Sequence, residues 1–147
     1  MTGVSIKLSC TSCGYAEPYT IPLLACPECG NTNMDAAYDL HEPLDWPKAL
    51  IGRPDTMWRF RELLPVHDNR HILSMGEGGT PLLHATSLGA MLGLKHLYIK
   101  DERQGPTGSF KDRQASLMIS SLREQGIKEL VVASTGNVAI AYSAYAA

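Results

Sequence analysis

The sequence predicts an α/β protein: a body of helices and strands on a largely parallel sheet, preceded by a small cysteine-bearing β module. Three observations carry this prediction. All four cysteines fall within the first 30 residues, as Cys10-x-x-Cys13-Gly14 and Cys26-x-x-Cys29-Gly30. From Gly76 onward, helical and strand-like patterns alternate with short connections, the texture of an α/β sheet. The 147 residues, 44% hydrophobic and 19% charged, have ordinary globular composition and suffice for one domain, or a small module plus part of a larger one. The organisation read from these patterns is a module over 1–40, an irregular arm with a short helix over 41–75, and the start of the body over 76–147.

Each Cys-x-x-Cys pair forms a tight turn presenting two thiolates to one tetrahedral ion, and the glycine after it supplies backbone freedom. Val4 to Leu8 reads as a strand entering the first turn, and Ala36 to Leu40 as a strand leaving the second. Between the turns, Tyr15 to Ala25 carries β-like residues with Pro18 and Pro22. The layout resembles a zinc ribbon or a rubredoxin-like pair of knuckles. Cys10, Cys13, Cys26 and Cys29 are the candidate ligands of a structural metal, zinc ahead of iron, with a disulfide pair or a redox dithiol as competing readings. Four thiolates leave no open coordination position, so the metal's role is to fold a region too small for its own core.

In the arm, Pro43, Pro47 and Pro54 interrupt His41 to Pro54 around Leu44, Trp46 and Leu50. Asp55 is placed to cap a short helix from Thr56 to about Leu64, ended by Pro65, with Trp58 and Phe60 as packing residues. In the body, Gly76-Glu-Gly-Gly-Thr-Pro-Leu82 is a glycine-rich loop and Ser87 to Leu92 a helix closed by Gly93. Leu97 to Lys100 and Leu130 to Ala133 read as strands. A helix opened by the turn Gly105-Pro-Thr-Gly108 runs to about Gln125 and stops at Gly126, and a last helix follows Ser134-Thr-Gly-Asn137.

The formal net charge of -2 leaves no electrostatic footprint for nucleic acid. Within residues 1–40 Lys7 stands alone against Glu17, Glu28, Asp35 and Asp39, the wrong balance for gripping phosphates. No apolar run is long enough to span a bilayer and no signal-peptide plan opens the chain, so the expectation is a cytoplasmic protein with neither nucleic-acid nor membrane partners. The C-terminal run Ala141-Tyr-Ser-Ala-Tyr-Ala-Ala147 favours helix and lacks a stop signal, which suggests a fragment of a longer protein. His41, His67, His71, His84 and His96 show no ligand spacing. Tyr142 and Tyr145, three apart on the last helix, read as packing residues.

Lys111 breaks a local rule. The first turn of a helix lies at the positive end of the peptide dipole and favours Asp or Glu. A cation is disfavoured there and the neutral amine favoured, and neutral amines form imines with aldehydes. Ser134 to Asn137 lies where a strand end meets a helix start, the edge at which open α/β sheets bind ligands and free amides favour carboxylates. The loop at 76–79 lacks the Gly-Lys-Ser/Thr ending of a nucleotide-binding P-loop and reads as a turn.

Gly76-Glu-Gly-Gly-Thr-Pro-Leu82, Lys100-Asp-Glu102, Pro106-Thr-Gly-Ser-Phe-Lys-Asp-Arg113 and Ala133-Ser-Thr-Gly-Asn137 occur in one order at compact spacing. On these motifs, with Trp58-Arg-Phe-Arg-Glu-Leu-Leu-Pro65, residues 55–147 resemble the threonine synthases. These are pyridoxal-phosphate enzymes of fold type II, the tryptophan-synthase-β family, one branch of which also carries a four-cysteine ribbon. The resemblance implies that Lys111 holds the cofactor aldehyde as an imine and then serves as acid and base. It implies that Asn137 bonds the cofactor's phenolic oxygen and that Ser134 and Thr135 hold the substrate carboxylate. The implied substrate is an amino-acid phosphate, O-phosphohomoserine, converted with water to threonine and phosphate; the resemblance allows for a homodimer. Gln114 stands where the pattern has glycine. The family's cofactor-phosphate loop and pyridine-nitrogen partner are expected beyond residue 147, so this stretch alone is not expected to turn over. The alternatives are a cysteate-synthase-like relative and a non-catalytic zinc-ribbon interaction module.

Overall fold

The computed structural model describes residues 5–19, 25–39 and 44–147. In it the cysteine module is a three-stranded antiparallel sheet, with β1 (Ser5–Cys10) between β2 (Ala16–Pro18) and β3 (Met34–Asp39). Leu8 lies opposite Glu17 on one side and Ala36 on the other. The period-2 alternation of a strand puts Ile6 and Cys10 on one face of β1, and both are buried. Val4, the stretch 20–24 with Pro22, Leu40, and the arm residues His41 and Pro43 lie outside the described residues.

The arm is more ordered than its prolines suggest. Asp45 accepts a hydrogen bond from Lys48 N, and Pro47, which has no N–H to lose in a first turn, completes the one-turn helix α1 (Trp46–Ala49). Trp46 meets Phe60 edge-on at 5.7 Å, tying α1 to the next turn. That turn is a 3₁₀ helix over Met57–Leu63, and its cap is Thr56, whose hydroxyl accepts from Trp58 N at 3.3 Å. The expected cap, Asp55, is instead ion-paired with Arg59 at 2.6 Å.

In the body, β4 (Leu82–His84) pairs antiparallel with β5 (Tyr98–Lys100), and α2 (Thr86–Leu92) lies between them in sequence. Gly93, at φ 70°, closes α2 as predicted. The expectation of a largely parallel sheet is not met among the described residues, where both sheets are antiparallel. The chain leaves β4 at Ala85 and returns at Leu97, whose carbonyl accepts from Ala85 N at 2.9 Å, so β5 starts beside the end of β4 and runs back along it. The predicted strand Leu130–Ala133 does not form either: no described strand pairs with it, and Val131 is 101% exposed.

Helix α3 (Lys111–Glu124) and helix α4 (Asn137–Ala146) form the core seam. Ala115, Ile119 and Leu122 pack with Ala141, Tyr142 and Tyr145, and Leu73, Ile127 and Val132 close the edges. Full burial of each larger side chain contributes about 1.5–3 kcal/mol, which makes this seam the body's main apolar anchor. The serines on α3 do a different job. Ser120 Oγ accepts from Leu73 N at 2.9 Å, and Ser116 Oγ lies 2.6 Å from Leu73 O, so the incoming chain docks on the helix by its backbone. One helix end is used the same way: Glu124 accepts from His67 N and Asp68 N at 2.8 and 2.6 Å.

Candidate functional site

The turn before α3 wraps a carboxylate. Asp112, on the first helical turn, is buried and accepts from Thr107 N at 3.0 Å and from the Thr107 hydroxyl. A side chain at Gly105 would place its Cβ 2.6 Å from Asp112 Oδ2, so only glycine lets the turn close this tightly. Gly108, at φ 81°, turns the chain into the helix. The acid that helix physics favours is thus supplied by Asp112, and Lys111 beside it is the first residue of α3. Its Nζ lies 4.5 Å from the centre of the Phe110 ring, and it makes no ion pair among the described residues. The ring face attracts the ammonium form of the side chain, and among the described residues no carboxylate is paired with it.

Asn137 opens α4, and Ser134 Oγ accepts from Gly136 N at 3.2 Å in the turn before it. Ser134, Thr135 and Asn137 are all exposed. Gln114 on α3 and Val138 on α4 line one groove of about 480 Å³, together with Met118, Leu122, Val132 and Tyr142. The starts of both helices therefore border the same groove. Gln114, the departure from the glycine pattern, is exposed on its wall.

Three motifs far apart in sequence meet at Glu102. Its carboxylate accepts from Arg113 Nε at 3.0 Å and Nη2 at 2.8 Å, and from the Thr80 hydroxyl at 2.9 Å. The Arg113 guanidinium holds the Glu102 carboxyl below its ordinary 4.5. Lys100 donates to Thr80 O, and Asp101 N to Pro81 O at 2.9 Å. This polar knot fastens the glycine-rich loop and β5 to the first turns of α3.

The glycine-rich loop is a packing joint. A Cβ on Gly78 would lie 2.4 Å from Met57 N, and one on Gly79 would lie 2.5 Å from Asp55 O. The arm crosses the loop directly on its backbone. Between these glycines and Gly76 sits Glu77, 1% exposed. Its Oε1 lies 2.9 Å from Trp58 Nε1 and 2.6 Å from Ser116 Oγ; its Oε2 accepts from Met75 N at 2.9 Å and from Tyr145 OH at 2.6 Å. Burial and the Glu77 carboxylate together push the Tyr145 phenol well above its usual range. From the sequence Trp58 and Tyr145 read as packing residues, and Glu77 and Ser116 do not stand out. A carboxylate among glycines, and serines along the apolar side of a helix, were the available signals.

In the cysteine module the two knuckles are near copies. Gly14 N donates to Cys10 O at 3.1 Å and Gly30 N to Cys26 O at 2.8 Å, with φ values of 75° and 73°. Cys10 and Cys29 sulfurs are 3.6 Å apart, as are those of Cys13 and Cys26, and all four lie within 4.8 Å of one another. A tetrahedral ion with metal–sulfur bonds of about 2.3 Å needs sulfurs about 3.8 Å apart, so the cluster fits one metal. Thiols this close cannot all ionise without a cation. Backbone donors at Cys13 and Ser12 bring Cys10 down to about 6, while Cys29, despite the Asn31 amide, is pushed up to about 12 by Cys10 and Cys13. Asn31, which sequence reading missed, joins the knuckles: its Nδ2 donates to Thr11 Oγ1 at 3.1 Å and lies 3.7 Å from Cys10 Sγ, and its carbonyl accepts from Cys26 N at 2.8 Å. Among the described residues no other group of metal-binding side chains comes together, and no helix is long and apolar enough to cross a membrane.

Residues 73–147 match the family described as pyridoxal-phosphate dependent enzyme. The chain belongs to that family, whose members use pyridoxal phosphate. Within it the chain is similar to threonine synthases. That of Methanocaldococcus jannaschii is 39% identical over 140 residues, 94% of this chain and 34% of that protein. That of Methanosarcina acetivorans is 35% identical over 141 residues, 95% and 34%, and that of Halalkalibacterium halodurans 39% over 97 residues, 63% and 27%. The chain spans about a third of the length of the first two.

Proposed function

We propose that this chain is part of a threonine synthase, converting O-phosphohomoserine and water to threonine and phosphate, with Lys111 as its cofactor-bearing lysine. The observation that carries the reading is Lys111 at the start of α3, without a carboxylate partner among the described residues, on a helix whose first turn borders the same groove as Val138, the residue after Asn137 on α4. The similarity to threonine synthases across 94% of the chain supports it. Pyridoxal phosphate supplies an electron sink for charge developing on substrate carbons, and the protein supplies position and electrostatics. Lys111 holds the cofactor by its Nζ and afterwards moves protons at the substrate carbons. Asn137 donates to the cofactor's phenolic oxygen, and the Ser134–Thr135 turn, with its amides at a helix start, holds the substrate carboxylate.

In the complete protein this reading places residues 76–147 in a fold type II body, where Leu130–Ala133 becomes a strand of a parallel sheet. Residues 1–40 form a ribbon whose Cys10, Cys13, Cys26 and Cys29 hold one structural zinc, and 41–75 form the arm between them. A cytoplasmic homodimer acting on a small amino-acid phosphate, with neither nucleic acid nor membrane, completes the reading. The test uses the full-length protein with pyridoxal phosphate. Borohydride should fix the cofactor to the peptide containing Lys111, and O-phosphohomoserine should yield threonine and phosphate. A Lys111→Ala protein that keeps the covalent adduct, or a wild-type protein that leaves O-phosphohomoserine intact, sinks the assignment.

A further inference from the structure

We propose that Glu77 is a positioning residue for the reaction site: its buried carboxylate sets the offset of α3 against α4, and so the spacing between Lys111 and Asn137. The proposal rests on the roles given to those two residues above. Burying a carboxylate is costly unless every oxygen is well bonded, and at Glu77 each oxygen is approached by two donors. The donors come from four places: Trp58 in the arm, Met75 in the loop, Ser116 on α3 and Tyr145 on α4. No other side chain among the described residues ties the arm, the loop and both helices at one point.

The apolar seam does not set the offset by itself. Its most buried members, Ala115 and Ala141, are small, and apolar contact is non-directional. Hydrogen bonds weaken steeply with misalignment, so those at Glu77, where the one Ser116 proton is shared between Oε1 and Leu73 O, fix what the seam leaves free to slide. Ser116 is five residues from Lys111, about 7–8 Å along the helix, and Tyr145 is eight from Asn137, about 12 Å. Helices are stiff over such lengths, so a shift at Glu77 arrives at both helix starts. A glutamine cannot reproduce the junction in either orientation, because its amide nitrogen meets an N–H donor to donor, that of Met75 when it stands at the Oε2 position and that of Trp58 when it stands at the Oε1 position.

The experiment uses the full-length protein loaded with pyridoxal phosphate, as wild type, Glu77→Gln, Tyr145→Phe, and Ser121→Ala as control. Ser121 is equally buried on α3 but bonds Pro65 O at 3.4 Å, away from Glu77. Misplacing reacting groups by a fraction of an ångström to 1 Å lowers kcat about tenfold or more. Glu77→Gln and Tyr145→Phe should therefore each lose at least about tenfold in kcat, with KM nearly unchanged. The pH midpoint of the cofactor's visible absorbance should move by about half a unit or more in both. Ser121→Ala should lower only the thermal midpoint. If Glu77→Gln does not fold, Tyr145→Phe decides on the same readings. Wild-type kcat and absorbance in the folded variants, or an equal shift in Ser121→Ala, overturns the proposal. Absence of the borohydride adduct on wild-type Lys111 removes the underlying reading and the proposal with it; an adduct with unshifted variants removes the proposal alone.

Discussion

Replacing Gly78 with alanine should damage the fold far more than the same change at Gly76, two residues earlier in one loop. Both glycines have positive φ, 128° and 92°, so both substitutions force an L residue into a disfavoured backbone conformation, at about 1–3 kcal/mol. They differ in space. A Cβ on Gly76 meets nothing within 4 Å, whereas one on Gly78 lies 2.4 Å from Met57 N, 2.6 Å from Thr56 C and 2.7 Å from Thr56 Cα. These are backbone atoms, which no rotamer change can clear. The arm would have to retreat by roughly 1 Å in a region packed to crystal-like density, at about 1–3 kcal/mol for the overpacking. The retreat also stretches the 2.8 Å bond from Met57 N to Glu77 O, worth about 1 kcal/mol. Gly78→Ala should therefore cost about 3 kcal/mol or more, and Gly76→Ala only the strain of about 1–3 kcal/mol. Thermal and urea unfolding of the full-length protein, followed by tryptophan fluorescence, reads the difference, since Trp58 is buried beside this loop. Equal midpoints for the two variants would show that the arm does not rest on the loop and would refute the argument.

The pair Glu102–Arg113 predicts a pH signature. Because Arg113 lowers the Glu102 carboxyl below 4.5, its contribution is complete above that value and is lost as pH falls through the lowered one. The gap in thermal midpoint between wild type and Glu102→Gln should be constant at neutral pH and begin to close as pH falls below 4.5; a gap independent of pH would count against the ion pair. In the cysteine module, metal analysis of the full-length protein should find about one zinc per chain, and a stable, metal-free N-terminal region would rule the site out. Asn31→Ala removes the donor shared between Thr11 and the Cys10 sulfur, and zinc transfer to a coloured chelator should become easier by about tenfold. Unchanged transfer would reduce Asn31 to a surface residue.

What could be read from sequence was what local chemistry decides. Cysteine spacing with a following glycine specifies each knuckle within five residues, and both knuckles have the expected form. The limits of α3 were legible because the Gly105–Gly108 turn and Gly126 act on their own neighbours. Strand pairing was not legible, because a strand needs a ladder partner and the partner is non-local. Leu130–Ala133 has strand composition but no paired neighbour among the described residues, whereas Leu82–His84, which drew no notice, pairs with Tyr98–Lys100. The lysine and asparagine of the proposed site stood out because each opens a helix. Glu77 did not, since its four donors come from residues spread between positions 58 and 145.

Seen residue by residue, Gly76-Glu-Gly-Gly-Thr explains why a loop with the composition of a phosphate cradle is not one. A cradle needs backbone amides facing a vacant, electropositive hollow. Here Gly76 N is bonded to Ser74 Oγ at 3.2 Å and Met75 N to the Glu77 side chain. Gly78 and Gly79 are bare because the arm lies on them, not because a ligand does. Thr80 spends its hydroxyl on Glu102 and its carbonyl on Lys100. Above all, a buried carboxylate sits at the loop's centre, and its field would repel a phosphate in a medium that screens charge poorly. Glu77 and Thr80 have their partners in the arm, β5, α3 and α4, while Gly78, Gly79 and Thr80 also line a hollow of about 310 Å³ together with Lys100, Arg59 and Arg113. The glycines bring the chain close enough for Glu77 and Thr80 to join the elements that carry Lys111 and Asn137, so in the proposed site the motif would act through the scaffold.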